Sequence, residues 1–180
     1  MKNRGVTIIE TVIVLSIFAI IIIVILGLYI SHCNLYRMEN SASVIKMQKT
    51  VFVKTFRETA EASNAIVAEK TIGTVAYTSS SSTIIFKMPA IDENKNTISG
   101  IFDYAVFYKT GSDFYIETDA DSTSQRKDLK RKISDKMDSI AFRYSSETPS
   151  LASYVSASAY FQDNTVFQEE ISSSAYLRNK

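Results

Sequence analysis

An α+β fold, with one long N-terminal helix packed on a C-terminal antiparallel β-sheet, follows from three observations on the sequence. From Thr11 to Ser31 the chain runs for 21 residues without a charge. A helix of that length, at about 1.5 Å per residue, spans roughly 31 Å, close to the hydrocarbon thickness of a bilayer. From Leu35 onward, apolar residues recur at helical spacing on one face. After Thr83, short apolar runs alternate with turn residues, the signature of paired strands.

The membrane-length run comes first. It is preceded by the short basic leader MKNRG and carries one carboxylate, Glu10, just inside its start. An ionisable group within a spanning segment costs a few kcal/mol, roughly, and marks a functional hypothesis by default. A cleaved secretory signal has an apolar region of about 7–15 residues followed by small residues at the cut. Here the run is longer and no A-x-A follows it. A lipoprotein signal needs small residues before its cysteine, whereas His32 precedes Cys33. A plain single-span anchor remains, but it gives no reason for Glu10 or for Gly5 between the leader and the run.

The block GVTIIETVIVL resembles the type IV prepilin signal of type IV pilins, type II secretion pseudopilins and competence pilins. The resemblance implies that a prepilin peptidase cuts after Gly5 on the cytoplasmic side and methylates the new N-terminal residue, Val6. Glu10 is then the fifth mature residue. Val6 departs from the family, which most often has phenylalanine there. The resemblance further implies other pilin or pseudopilin subunits and an inner-membrane assembly platform as partners.

A freshly cut Val6 carries an α-amino group with a reference pKa of about 7.7–8.0, largely cationic at neutral pH. Glu10 of one subunit is expected to meet the Val6 amine of the next. In surroundings of low dielectric that attraction is weakly screened, so it would set the register of helices stacked into a filament. Lys2 and Arg4 lie close to the span and Arg37 is the first charge beyond it, which favours a cytoplasmic N-terminus and an extracytoplasmic remainder. Gly27 is either a weak point in this helix, glycine costing about 1 kcal/mol against alanine, or a place where helices pack closely.

Four segments are expected: a leader at 1–5, the membrane and assembly half of the helix at 6–34, its amphipathic half at 35–68, and a β-rich domain at 69–180. In the amphipathic half Leu35, Met38, Ala42, Ile45, Phe52 and Phe56 share a face, interrupted by Lys49. No proline precedes Pro89, so residues from Val6 to about Ala62 would form one rod of roughly 85 Å. Its Met38, Ile45, Phe52 and Phe56 face would lie on the sheet, which is the pilin-like arrangement.

Beyond the helix, residues 69–82 read as a transition with a polar turn at Thr78–Ser82. TIIFKM (83–88) reads as a strand ended by Pro89, and 92–100 as a loop. IFDYAVFYK (101–109) and DFYIET (113–118) form a hairpin around Thr110-Gly111-Ser112. Leu129, Ile133, Met137 and Ile140 are spaced by four, four and three, which predicts a short helix over 125–138. Residues 140–144 then read as strand. Over 153–162, Val155, Ala157, Ala159 and Phe161 face one way and Tyr154, Ser156, Ser158 and Tyr160 the other. Residues 172–178 are the last strand. TIIFKMP, DYAVFY and the closing Leu177-Arg178-Asn179 are similar to minor pilins and minor pseudopilins; the retained Glu10 argues against the tip subunit of type II systems.

Composition narrows the function. The 180 residues carry a formal net charge of +1; loss of Lys2 and Arg4 lowers it by two, to −1, and neither value points to a polyanion. The single cysteine, Cys33, excludes an internal disulfide. No catalytic set is evident: His32 and Cys33 sit together at the membrane exit with no acidic or basic partners arranged around them, whereas a nucleophile needs a base within hydrogen-bond reach and a third group to orient it, and no cofactor or metal is expected. The acidic stretch Glu117, Asp119 and Asp121 has oxygen ligands at alternate positions but lacks the glycine and closing glutamate of an EF-hand, so a solvated loop is expected. The basic run Arg126, Lys127, Lys130, Arg131, Lys132 and Lys136 is broken by Asp128 and Asp135 and lacks neighbouring aromatics, so no nucleic acid is expected.

Two functions remain from the residues. One is a structural minor subunit of a type IV pilus, type II secretion pseudopilus or competence pilus, ending in a cell-surface or periplasmic filament. The other is a membrane-anchored extracytoplasmic binding domain that never polymerises.

Overall fold

The computed structural model describes residues 7–163 and 167–178. The chain divides between Ala42 and Ser43 into two compact units. Among the described residues one α-helix, α1 (Ile8–Ala62), is followed by ten strands and a short 3-10 turn at Pro149–Leu151, so the α+β class read from the sequence is what the chain adopts. The first unit holds the apolar half of α1, a segment long and apolar enough to cross a membrane and wholly exposed along its most apolar window. Gly27 sits in this half with open space around it.

In the second unit all strand pairings are antiparallel. Strands β1 (Ala65–Ile66), β4 (Ile84–Ile91), β5 (Thr97–Thr110), β6 (Asp113–Asp119) and β7 (Leu129–Ser134) form a five-stranded sheet in the order β1-β4-β5-β6-β7. A three-stranded sheet runs β10 (Phe167–Tyr176), β9 (Tyr154–Asp163), β8 (Met137–Tyr144). The short hairpin β2 (Glu69–Ile72) and β3 (Val75–Thr78) stands apart. The single sheet expected is therefore three.

The helix packs on both larger sheets through two phenylalanines. Phe52 lies 5.6 Å from Phe114 of β6 and 6.4 Å from Phe161 of β9, between ring centres. Phe56 lies 5.9 Å from Phe86 of β4, 6.0 Å from Phe107 of β5 and 5.9 Å from Phe142 of β8. Most of these contacts are edge-on, the geometry that the ring quadrupole favours. Ile45 and Ala60 complete the buried stripe. Leu35 and Met38, expected on the same stripe, belong to the first unit and are about half exposed.

The helix stops at Ala62, where the rod is expected to end, so the amphipathic segment drawn over 35–68 leaves the helix before its last six residues. Ser63 tightens the last turn, its N–H donating to the Ala60 carbonyl and its hydroxyl to the Thr59 carbonyl. Asn64 N then donates to the Lys87 carbonyl, and Ala65 and Ile66 pair with Lys87 and Phe86. Pairing with an apolar strand replaces helical bonds that Ser63 and Asn64, both prone to local side-chain bonding, hold weakly. The transition at 69–82 is a hairpin whose turn uses Gly73 at φ +60°. It covers a second, smaller apolar cluster of Ile72, Ile85, Val106 and Tyr108.

Two further corrections concern strands. β4 runs through Pro89 to Ile91 rather than ending before it. That is tolerated because β1 pairs only with Lys87 and Phe86, leaving Pro89 on an open edge where no N–H is required. The expected helix at 125–138 is instead β7, a turn and the start of β8. Spacings of four satisfy a period of two as well as 3.6, and the final step of three is absorbed by a register shift between Met137 and Ser139. Cross-strand pairing decides between the periods: Lys130 opposes Glu117 and their charged ends lie 3.2 Å apart. The β5–β6 hairpin stands as read, with Gly111 at φ +60°, and β9 buries Val155, Ala157, Ala159 and Phe161 on one face.

Candidate functional site

Glu10 lies in the first turn of α1, and its carboxylate is engaged within its own chain. The Thr7 backbone N–H and hydroxyl both donate to Glu10 Oε2, at 2.9 and 3.1 Å, and the Glu10 N–H donates to Thr7 Oγ1 at 3.3 Å. This is a reciprocal capping box, which satisfies backbone donors at a helix start that otherwise have no partner. Threonine three residues before the glutamate carries that signature in the sequence, so Thr7 was legible but overlooked. Gly5 and Val6, the cleavage and methylation positions, lie outside the described residues. One oxygen of Glu10, Oε1, makes no hydrogen bond among the described residues.

The other candidates are dispersed. Cys33 is a free, half-exposed thiol on the helix, next to exposed His32. Among the described residues, no group of three or more His, Cys, Asp or Glu is gathered closely enough to hold a metal ion. The acidic stretch is consumed by neighbours: Asp119 pairs with Lys70 at 3.3 Å, and Asp121 Oδ1 accepts from the Thr123 N–H and hydroxyl. The basic run is likewise tied down. Lys132 pairs with Asp113, Lys136 with Asp163, and Arg131 donates to the Thr55 hydroxyl.

Two polar clusters in the second unit were not anticipated. The first is centred on Asp103, whose side chain is fully buried. It accepts from Asp121 N at 2.9 Å, from the Ser124 hydroxyl at 2.7 Å and from Arg126 Nη1 at 2.7 Å. Arg126 Nη1 also donates to the Pro89 carbonyl at 2.5 Å, and the segment between β6 and β7 is thereby pinned to β4 and β5. The signal lay in the alternation, since Asp103 shares the buried face of β5 with Ala105 and Phe107.

The second cluster joins Tyr77, Tyr108 and Glu117. Both hydroxyls donate to Glu117 Oε2 at 3.0 Å, and the two rings lie 5.0 Å apart. Burial pushes the Glu117 carboxyl up, but the hydroxyls of Tyr108 and Tyr77 and the Lys130 ammonium outweigh it and hold it below 4.5. Burial, with hydrogen bonding to Tyr108 and Glu117, pushes Tyr77 far above 10, and burial raises Tyr108 as well. Burial alone pushes Tyr144 up to about 12.

The sign of the pH dependence follows. A phenol whose folded pKa is raised stabilises the fold below its free value of 10 and loses that contribution as pH rises through the folded value. Glu117, lowered, contributes above 4.5 and loses its contribution as pH falls through its folded value. The melting temperature is therefore expected to drop above pH 10 and again below pH 4.5. In an absorbance titration of tyrosinate, Tyr77, Tyr108 and Tyr144 are expected to ionise above the ordinary phenol value of 10. A single transition near pH 10, removed by none of the three Tyr→Phe substitutions, would contradict this.

The Asp103 and Glu117 clusters hold neighbouring segments together through hydrogen bonds and ion pairs. Compared with known proteins, the chain matches no family model, no curated protein and no solved structure.

Proposed function

We propose that the chain is a structural minor subunit of a type IV pilus, type II secretion pseudopilus or competence pilus. The observation that carries this reading is Glu10 in the first turn of α1, directly before the uncharged, membrane-length run Thr11–Ser31 and five residues after Gly5. In the proposal, prepilin peptidase cuts after Gly5 and methylates Val6, the N-terminus is cytoplasmic, and the β-rich unit is extracytoplasmic. Other pilin or pseudopilin subunits and the membrane platform are the partners, and the Val6 amine of a neighbour takes the open side of the Glu10 carboxylate.

One observation favours the second reading, an anchored binding domain that never polymerises. Thr7 gives Glu10 a task inside its own chain, as an ordinary helix cap. Glutamine separates the two, because a capping box accepts either Glu or Gln at this position. Glu10→Gln is expected to keep the cap and membrane abundance but lose crosslinks to neighbouring subunits, as Glu10→Ala does. Wild-type crosslinking in Glu10→Gln would leave only the capping role. Gly5→Val is expected to leave the leader uncut, read by intact mass; a chain still starting at Val6 would remove the peptidase assignment.

A further inference from the structure

We propose that the open edge of β10, from Ser172 to Tyr176, docks an extended peptide strand of a partner protein. That strand would place an apolar side chain over Val53 and Ile171 and a carboxylate beside Arg57. The inference rests on this sheet edge and the groove beside it, and holds equally for a filament subunit and an anchored domain.

The edge is defined by its backbone. Leu177 N donates to the Ser153 carbonyl at 2.9 Å, on the β9 side, whereas Arg178 N donates to the Ser63 carbonyl at 2.7 Å, on the other side. Successive N–H groups of an extended strand point to opposite sides. Tyr176, Ser174 and Ser172 therefore direct their N–H and carbonyl groups away from β9, in line with Arg178. Among the described residues nothing pairs with them. The same edge thus already takes a carbonyl from outside the sheet at Arg178 and presents three further residues ready to do so.

The other edges of the two larger sheets are protected in the ways that proteins use to prevent stray pairing. β1 is two residues long, β7 carries Lys130, Arg131 and Lys132, and at the outer edge of β8 Phe142 N donates to the Ser81 carbonyl. In β10 the charges lie in the first half, where Glu169 is bound by Lys49. From Ile171 on, the strand reads ISSSAY, with no lysine, proline or break in its register against β9.

Beside this edge lies a groove of about 440 Å³ against α1, with Val53 and Ile171 as its apolar part and Lys54, Arg57, Glu58 and Glu61 along its wall. Lys54 is paired with Glu58, but Arg57 has no carboxylate within ion-pair distance among the described residues. On the same inward face of β10 as Ile171, the Ser173 hydroxyl is buried to 6% exposure without a hydrogen-bond partner. An added strand supplies backbone partners for the outward groups, an apolar side chain for the groove and an acid for Arg57.

The test uses the full chain in detergent with two fluorescent eight-residue peptides of alternating valine and threonine, one with a central glutamate and one with a central lysine. The glutamate peptide is expected to bind saturably and to slow hydrogen exchange at Ser172, Ser174 and Tyr176. Ser174→Pro removes an outward N–H without touching a β9 bond, and is expected to weaken binding about fivefold or more at unchanged melting temperature. Arg57→Glu, on the helix surface, is expected to shift preference toward the lysine peptide by roughly tenfold. If Ser174→Pro does not fold, Arg57→Glu decides. Absence of saturable binding, an unchanged preference in Arg57→Glu, or full binding by folded Ser174→Pro would overturn the proposal. So would protection of these amides that rises with protein concentration in the absence of peptide, since a second copy would then be the occupant.

Discussion

Phe56→Asp is expected to unfold the β-rich unit outright. Phe56 is fully buried and its ring meets Phe86 and Phe107 from the five-stranded sheet and Phe142 from the three-stranded sheet. Deleting such a ring costs about 3–5 kcal/mol through lost transfer energy and the cavity left behind. A carboxylate placed there without a partner adds several kcal/mol more, roughly. The sum reaches the whole stability of an ordinary domain, about 5–15 kcal/mol. Circular dichroism of the full chain should then retain the helical signal of the apolar half while the cooperative melt of the strands disappears. Phe56→Leu, which keeps most of the volume, should lower the melting temperature without abolishing the transition. A Phe56→Asp protein that melts like the parent would mean that the two sheets are joined through some other part of the helix.

The second large effect is expected at Asp103. Its carboxylate is fully buried and accepts three hydrogen bonds, one from a guanidinium that also holds the Pro89 carbonyl. Breaking a buried pair from one side costs about 3–5 kcal/mol, since the remaining charge loses its partner. Asp103→Ala should therefore destabilise the unit by that amount and expose the Asp121 amide to exchange. Asp103→Asn should fall between: its carbonyl oxygen can still accept, but the neutral amide gives Arg126 no charge to pair with. Pairing the change with Arg126→Met should recover part of the loss, because no unpaired charge is then left. Equal melting of Asp103→Ala and the parent would show that the pinning of the segment between β6 and β7 contributes nothing.

The two halves of the chain differ in how much of them could be read in advance. In a bilayer, an uncharged run as long as the hydrocarbon is thick has one stable form, a helix, because its backbone groups must be satisfied internally. Thr11–Ser31, the register of Glu10 and the cap at Thr7 are therefore properties of the local sequence, and so are the β5–β6 turn at Gly111 and the alternation of β9. In each case a short-range rule permits one answer.

Tertiary structure decided the rest where two periods or two partners competed. Leu129, Ile133 and Met137 fit a helix as well as a strand, and only the free edge of β6, with Glu117 facing Lys130, selects the strand. Residues 63–66 leave the helix because β4 offers backbone partners at Lys87 and Phe86. Spacing marks Ile45, Phe52 and Phe56 as one face, but which strands cover it is set by the sheets they pack on. The division into three sheets, the burial of Asp103 and the open edge at Ser172–Tyr176 belong to the same class. All depend on contacts between residues far apart in the chain, whose pairing is set by the packed whole and leaves no periodic trace in either partner.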